Sequence, residues 1–256
     1  MDVLLTEQSG GLLTLTLNRP ERKNAVNGDL WRALLSAFRE TAHDETVRVV
    51  VVTGAAGEFC AGADLGDPEA AATHQYPRMR FIHDVALALH RLPQPTIAKV
   101  DGVAVGAGCN LAFGCDLVVA SERARFSEIF ARRGLSLDFG GSWLLPRRIG
   151  LHRAKELAFF GDILSAAEAE RMGLVNRVVP VDELDSFVSS WVERLAAGPP
   201  LALTASKRLL DSSSSHSLAE ALEQEAVAQS VNIVSEDGRE AIMAFLEKRD
   251  ANFSGR

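Results

Sequence analysis

An α/β core over roughly residues 1–195, followed by a helical C-terminal region over 196–256, is the fold class this sequence predicts. Three observations carry it. Strand-like and helix-like periodicities alternate through the first half of the chain. Two apolar strand segments run directly into glycine turns. Beyond Gly150 the strand signals give way to helix-start signatures.

Taken in order, Leu12 to Leu17 alternates leucine with threonine, the period-two pattern of a strand with one buried face. Asp29 to His43 carries an apolar stripe at helical spacing, and "VRVVVVTG" (47–54) reads as a strand buried on both faces. Strand, helix and strand make a βαβ unit, whose crossover is right-handed. A loop follows, "AAGEFCAGADLGD" (55–67), then a helix from about Pro77 to Arg91 and a second buried strand, "TIAKVDG" (96–102). That strand enters "VAVGAGCNLAFG" (103–114), and "DLVVAS" (116–121) is one more strand. Further on, "SAAE" (165–168) and "SLAE" (217–220) match the capping box, in which a hydroxyl and a carboxylate satisfy the first free amides of a helix. "GPP" (198–200) and the serine run at 212–215 punctuate helices, and no internal repeat is present.

Composition narrows the function classes. With 256 residues and a 47% hydrophobic fraction the chain has ample material for a core. A formal charge of −7 argues against binding nucleic acid or an anionic membrane, which needs clustered lysine and arginine. Cys60, Cys109 and Cys115 show no CxxC and no zinc-site spacing, so neither a disulfide framework nor a metal is expected. The opening residues lack a basic then apolar leader pattern, and the longest uncharged run, Gly102 to Cys115, is too short to span a bilayer. A reduced, cytoplasmic protein is the expectation.

"FCAGADL" (59–65) and "GVAVGAGCN" (102–110) both place glycine where a strand yields to a loop or helix. Glycine lets backbone amides crowd one point, and a helix N-terminus adds positive potential there. Such a point holds a phosphate or a transient oxyanion. The phosphate reading fits poorly: Leu111 stands where GxGxxG needs its third glycine, and the lysine and hydroxyl of a P-loop are missing.

Taken with "LNRPERKNAV" (17–26), "LPRRIG" (145–150), "GLVNRVVP" (173–180) and "AFLEKRDANF" (244–253), these motifs resemble the crotonase (enoyl-CoA hydratase/isomerase) superfamily over nearly the whole chain. The resemblance implies a spiral of ββα units with a helical C-terminal trimerisation region, assembled as a homotrimer or dimer of trimers. It implies an acyl-CoA substrate and no cofactor, coenzyme A being part of the substrate. It casts the backbone amides of Ala63 and Ala107 as oxyanion-hole donors to the thioester carbonyl, although the family more often has glycine at the second place. Lys23 and Ala25, with Ala61, Asp64 and Leu65, match the segment that holds the adenine and pantetheine. Phe245 and Lys248 match residues that reach the nucleotide end, often from a neighbouring subunit.

The catalytic carboxylates depart from the hydratase pattern. Where hydratases resemble one another in two glutamates, this chain has Asn110 and Phe130. Syn-hydration needs an acid/base pair, so ordinary hydration is not implied. Asp138, four residues after Gly134, resembles the catalytic aspartate of dienoyl-CoA and epoxyphenylacetyl-CoA isomerases and the nucleophile of chlorobenzoyl-CoA dehalogenases. Its apolar neighbours Leu135, Leu137 and Phe139 predict a raised pKa. The competing reading is a helix N-cap opening "DFGGSWLL".

Other polar residues get plainer expectations. His83 and His90 share a helix face without a third ligand, and "GGSWL" is no nucleophile elbow. Glu128 is expected solvated or paired with Arg132 and Arg133. Asn110 either bonds its own turn or touches substrate or water, and Trp143 with Leu144 lines the acyl pocket or packs in a helical core. Residues 66–80 are where an acyl-pocket lid would lie. The leading reading is a CoA-thioester isomerase. The alternatives are an enoyl-CoA hydratase of atypical site and a non-catalytic acyl-CoA-binding member.

Overall fold

In a computed structural model of the chain, residues 2–72 and 74–256 are described. The fold opens on an antiparallel hairpin of β1 (Leu4–Ser9) and β2 (Leu12–Leu17). Strand β1 escaped the sequence reading because it lies at the sheet edge with almost all its side chains exposed, so no apolar alternation marks it. Helix α1 (Gly28–Thr41) follows, capped by the Asn27 side chain, which accepts a hydrogen bond from Leu30 N at 3.0 Å. Next come β3 (Val49–Gly54), α2 (Pro68–Ala72), α3 (Gln75–His90), β4 (Thr96–Val100), β5 (Val103–Val105) and α4 (Ala107–Gly114). Strands β6 (Leu117–Ser121) and β7 (Arg125–Ser127), helix α5 (Gly141–Phe160), β8 (Leu164–Ser165), α6 (Ala166–Met172), β9 (Arg177–Val179) and α7 (Leu184–Ala196) complete the α/β part. Helices α8 (Pro200–Ser212), α9 (Leu218–Val234) and α10 (Glu236–Glu247) form the C-terminal region.

The main sheet runs β1-β2-β3-β4-β6-β9, parallel throughout except for the opening hairpin; β5, β7 and β8 make a smaller second sheet. Strand β3 explains its own sequence. Val50 and Val52 face the main core with Leu30, Leu34 and Phe38 of α1, while Val49 and Val51 face Val188 and Val192 of α7 on the other side. Both faces are covered, so the strand is apolar without alternation.

Both predicted capping boxes form, at Ser165 with Glu168 and at Ser217 with Glu220. The segment 66–80 folds as α2 and the start of α3; Thr73, within that expected lid, lies outside the described residues. On α9 and α10, Leu218, Leu222, Val227, Val231, Ile242 and Phe245 all stand exposed on the single chain. Among the described residues no helix is long and apolar enough to cross a membrane.

Candidate active site

The loop before α1 is fastened to the first glycine turn by backbone pairing. Val26 N donates to Gly62 O at 2.7 Å, Asp64 N to Val26 O at 2.9 Å and Ala61 N to Lys23 O at 3.0 Å. Buried Asn24, at φ 57°, donates to the Ala55 and Glu58 carbonyls at 2.9 and 2.6 Å. Ion pairs Arg19–Asp64 (2.8 Å) and Lys23–Glu58 (2.9 Å) cross the same seam. Lys23, Ala25, Ala61 and Asp64 therefore form one unit, with Leu65 exposed at its edge.

This pairing aims the Ala63 amide. Val26 bonds the residues flanking Ala63 in a parallel bridge, so Ala63's own N–H points away from Val26. Gly62, at φ 94°, lies against the second glycine turn: a Cβ there would stand 2.7 Å from the Val105 carbonyl oxygen and 3.9 Å from the Ala107 nitrogen. Gly106, at φ 54°, caps α4 without a side chain, and Ala107 is the first helical residue, whose amide a helix leaves without an internal partner. The Ala107 side chain is packed inside the core. Among the described residues neither the Ala63 nor the Ala107 amide has a hydrogen-bond partner, and with the N-terminus of α4 they offer the kind of donors that can stabilise an oxyanion. The Phe130 ring walls this end of α4, its Cζ 3.6 Å from where a Gly106 Cβ would stand.

Asn110, one turn further along α4, is fully buried. Its Nδ2 donates to Glu128 Oε2 at 3.2 Å and to the Asp138 backbone carbonyl at 3.0 Å. Gly141 makes this closeness possible, since a Cβ there would lie 2.5 Å from Asn110 Nδ2. Asp138 is not the helix cap: α5 begins at Gly141 with Gly140 as its cap residue and no side-chain bond. The Asp138 backbone carbonyl closes that turn instead, accepting from Gly141 N at 2.9 Å. Its side-chain Oδ1 is buried without a hydrogen-bond partner. Phe139 sits in left-handed backbone at φ 46°, a conformation unfavourable for a bulky residue, and is held there by stacking on Trp31 at 5.2 Å. That packing fixes Asp138 in place.

Glu128 corrects the sequence expectation of a solvated or paired residue. It is only 2% exposed, and Arg132 turns away to bond Asp162 and the Phe160 carbonyl. Burial pushes its carboxyl up to about 8, the Cys109 thiol and the Asn110 amide opposing and the Asp138 charge adding. Burial likewise pushes Asp138 up to about 6, against the pull of the Arg78 guanidinium on α3. Arg78 also lines a cavity of about 250 Å³ with Trp31, Pro77 and Phe81. Sequence reasoning missed Arg78 and Trp31; a lone arginine in a mixed segment and a tryptophan in a helical stripe carry no motif.

Other expected residues lie apart. Trp143 stacks edge-on against His90 at 5.4 Å, with Arg147 4.0 Å above its ring, and lines a separate cavity of about 570 Å³ that holds none of Asp138, Ala63 and Ala107. Phe245, 83% exposed, and Lys248 sit at the end of α10, with no hydrogen bond or ion pair among the described residues joining them to the glycine turns. Among the described residues no cluster suited to a metal is found.

A family model for enoyl-CoA hydratase/isomerase matches residues 7–256. A 1,2-epoxyphenylacetyl-CoA isomerase from Escherichia coli K12 is 38% identical over 261 aligned positions, covering 100% of both chains. A 2,3-dehydroadipyl-CoA hydratase from the same organism is 36% identical over 259 positions, again 100% of each. A crystal structure of an enoyl-CoA hydratase from Bacillus anthracis shares the fold at a TM-score of 0.94 and 31% identity, over 99% of this chain and 100% of that one. The crotonase fold expected from the motifs is thus the fold of this chain. Matched along almost its whole length, the chain belongs to the enoyl-CoA hydratase/isomerase family.

Proposed function

We propose that the protein is an acyl-CoA thioester isomerase that moves a double bond by proton transfer through Asp138. The observation that carries this is a carboxylate with a buried, unpartnered oxygen, in a site where Asn110 and Phe130 stand at the two positions hydratases fill with glutamate. The thioester carbonyl accepts from the Ala63 and Ala107 amides. Asp138 removes a proton from the α or γ carbon, the resulting dienolate carries its charge on the held oxygen, and Asp138 returns the proton at the other end. One base with two reachable carbons suffices, and a value raised toward 6 makes it a stronger base than an exposed aspartate. Arg78, whose charge acts on Asp138, also lines the cavity of about 250 Å³, which is the room this reading gives the acyl group, and the likeness to an epoxyphenylacetyl-CoA isomerase favours this class.

Lys23, Ala25, Ala61, Asp64 and Leu65 hold the coenzyme A part, and Phe245 and Lys248 reach its nucleotide end from a second subunit. The bare apolar faces of α9 and α10 fit a homotrimer or dimer of trimers. The reaction needs no cofactor beyond the coenzyme A of its substrate.

One observation favours a second reading, hydration: Glu128 supplies a second buried carboxyl beside Asp138. Incubation with 2-enoyl, 3-enoyl and dienoyl-CoA esters in heavy-oxygen water separates the two. Double-bond movement without label supports isomerisation; label in the product overturns it in favour of hydration. Asp138→Asn is expected to abolish turnover while keeping CoA-ester binding, and retained turnover refutes the role of Asp138.

A further inference from the structure

We propose that Glu128 is a neutral carboxylic acid that closes a cyclic acid–amide pair with Asn110 and so positions Asp138. In its effect on activity this rests on the reading of Asp138 as the base. Three groups make the case. Asn110 Nδ2 has both hydrogens committed, to Glu128 Oε2 and to the Asp138 carbonyl. Asn110 Oδ1 and Glu128 Oε1 are both buried and both without a partner. An ionised Glu128 only accepts, so it leaves Asn110 Oδ1 without a donor and its own carboxylate with no donor beyond the Asn110 amide and the weak Cys109 thiol, whereas a protonated one carries a single O–H. Placed on Oε1, that O–H gives Asn110 Oδ1 its missing donor. One proton thus resolves two orphaned atoms, which buried polar groups otherwise rarely tolerate.

The surroundings agree. Among the described residues no cation pairs with Glu128; the Cys109 thiol of α4 and Asp138 face it, and Arg78 of α3 acts on Asp138. The Arg132–Asp162 pair lies outside on exposed surface. Burial holds the carboxyl protonated at neutral pH. The pair locks the Asn110 side chain, whose other N–H fixes the Asp138 backbone, and it spares Asp138 a second negative charge. Above about pH 8 the proton leaves, the pair opens and a negative charge appears beside the base.

The test compares Glu128→Leu, Glu128→Gln and the parent. Leucine removes donor and acceptor, and is expected to lower kcat by at least about tenfold with little change in KM. Glutamine offers N–H where the acid offered O–H, so it is expected to restore kcat to within a few-fold and to erase the alkaline limb near pH 8. A glutamine variant as inactive as Asp138→Asn, or one that keeps the alkaline limb, overturns the proposal. Carbon-13 NMR of carboxyl-labelled glutamates gives an answer independent of turnover: a signal absent from Glu128→Gln titrates near 8 in the full-length protein, and one titrating near the ordinary glutamate value overturns the proposal. Because this holds even if Asp138→Asn stays active, failure of the Asp138 role and failure of this pair are told apart.

Discussion

If Asp138 is the base, the reaction must fade on the acid side at a pH set by its burial. The carboxyl must be ionised to take a proton, and burial places its midpoint at about 6. Its ionised fraction is then about nine-tenths at pH 7 and about one-tenth at pH 5, so kcat/KM falls roughly tenfold per unit below the midpoint. An aspartate at the ordinary value of about 3.9 stays more than about 90% ionised at pH 5. The two cases differ by close to an order of magnitude in rate. Arg78 provides an internal control: its charge opposes the rise, so Arg78→Met is expected to move the limb to higher pH. The assay is the initial rate at low concentration of an isomerisable enoyl-CoA ester, followed by the absorbance of the conjugated thioester between about pH 4.5 and 8. A profile flat to pH 5, or an Arg78→Met limb displaced to lower pH, refutes the reasoning.

Three other outcomes follow from single contacts. Gly62→Ala forces a Cβ to 2.7 Å from the Val105 carbonyl at a φ of 94°, displacing the turn that aims the Ala63 amide. Loss of one oxyanion donor typically costs about 10²–10³ in kcat, and a variant with parental kcat and an intact circular-dichroism spectrum counts against that donor. Gly141→Ala drives a Cβ into Asn110, and is expected to lower kcat and to move the Glu128 carboxyl signal; an unmoved signal means that Asn110 does not govern Glu128. Glu128→Gln should also change stability with a definite sign. The folded value, about 8, exceeds the ordinary 4.5, so this carboxyl's contribution to stability is fully present below pH 4.5 and is lost as pH rises through 8. At about 1.4 kcal/mol per unit this reaches on the order of 5 kcal/mol, and glutamine does not share the loss. Urea unfolding at pH 5 and 8, at one protein concentration, should show the glutamine variant gaining stability relative to the parent as pH rises; an unchanged difference refutes it.

Much of this was legible in the sequence, for reasons that differ by residue. Strand β3 announced itself because covering both faces of a strand leaves no polar position, and the capping boxes because their geometry is local. The two glycine turns were legible because Gly62 and Gly106 sit at positive φ, which glycine adopts without strain. Glu128 was not legible. Arg125, Arg132 and Arg133 all lie within five residues of it in sequence, and only the three-dimensional path of the chain sends Arg132 out to Asp162 and Glu128 inward against Asn110. Strand β1 was hidden because an edge strand with exposed side chains resembles a loop. Whether Trp143 lined a pocket or packed in a core was open in the sequence, and its contacts with His90 and Arg147 became visible only in the fold.

The choice between reactions comes down to which groups are free to act. Hydration asks one group to take a proton from water and another to deliver one to carbon. Asn110 has both N–H groups committed and, in the proposed pair, its carbonyl occupied as well. Glu128's proton is then held inside that pair and not aimed at a substrate carbon. On this reading two interacting buried carboxyls are set to different tasks: Asp138, with an unpartnered Oδ1, acts as the base, and Glu128 stays neutral and structural. On the proposed reading a single mobile proton carrier is left, and returning the same proton to a second carbon is the chemistry that reading predicts. The Glu128→Gln variant puts that logic at risk directly, because in heavy-oxygen water it should isomerise without incorporating label, and a loss of label incorporation on this substitution would mean that Glu128 had been a hydration acid.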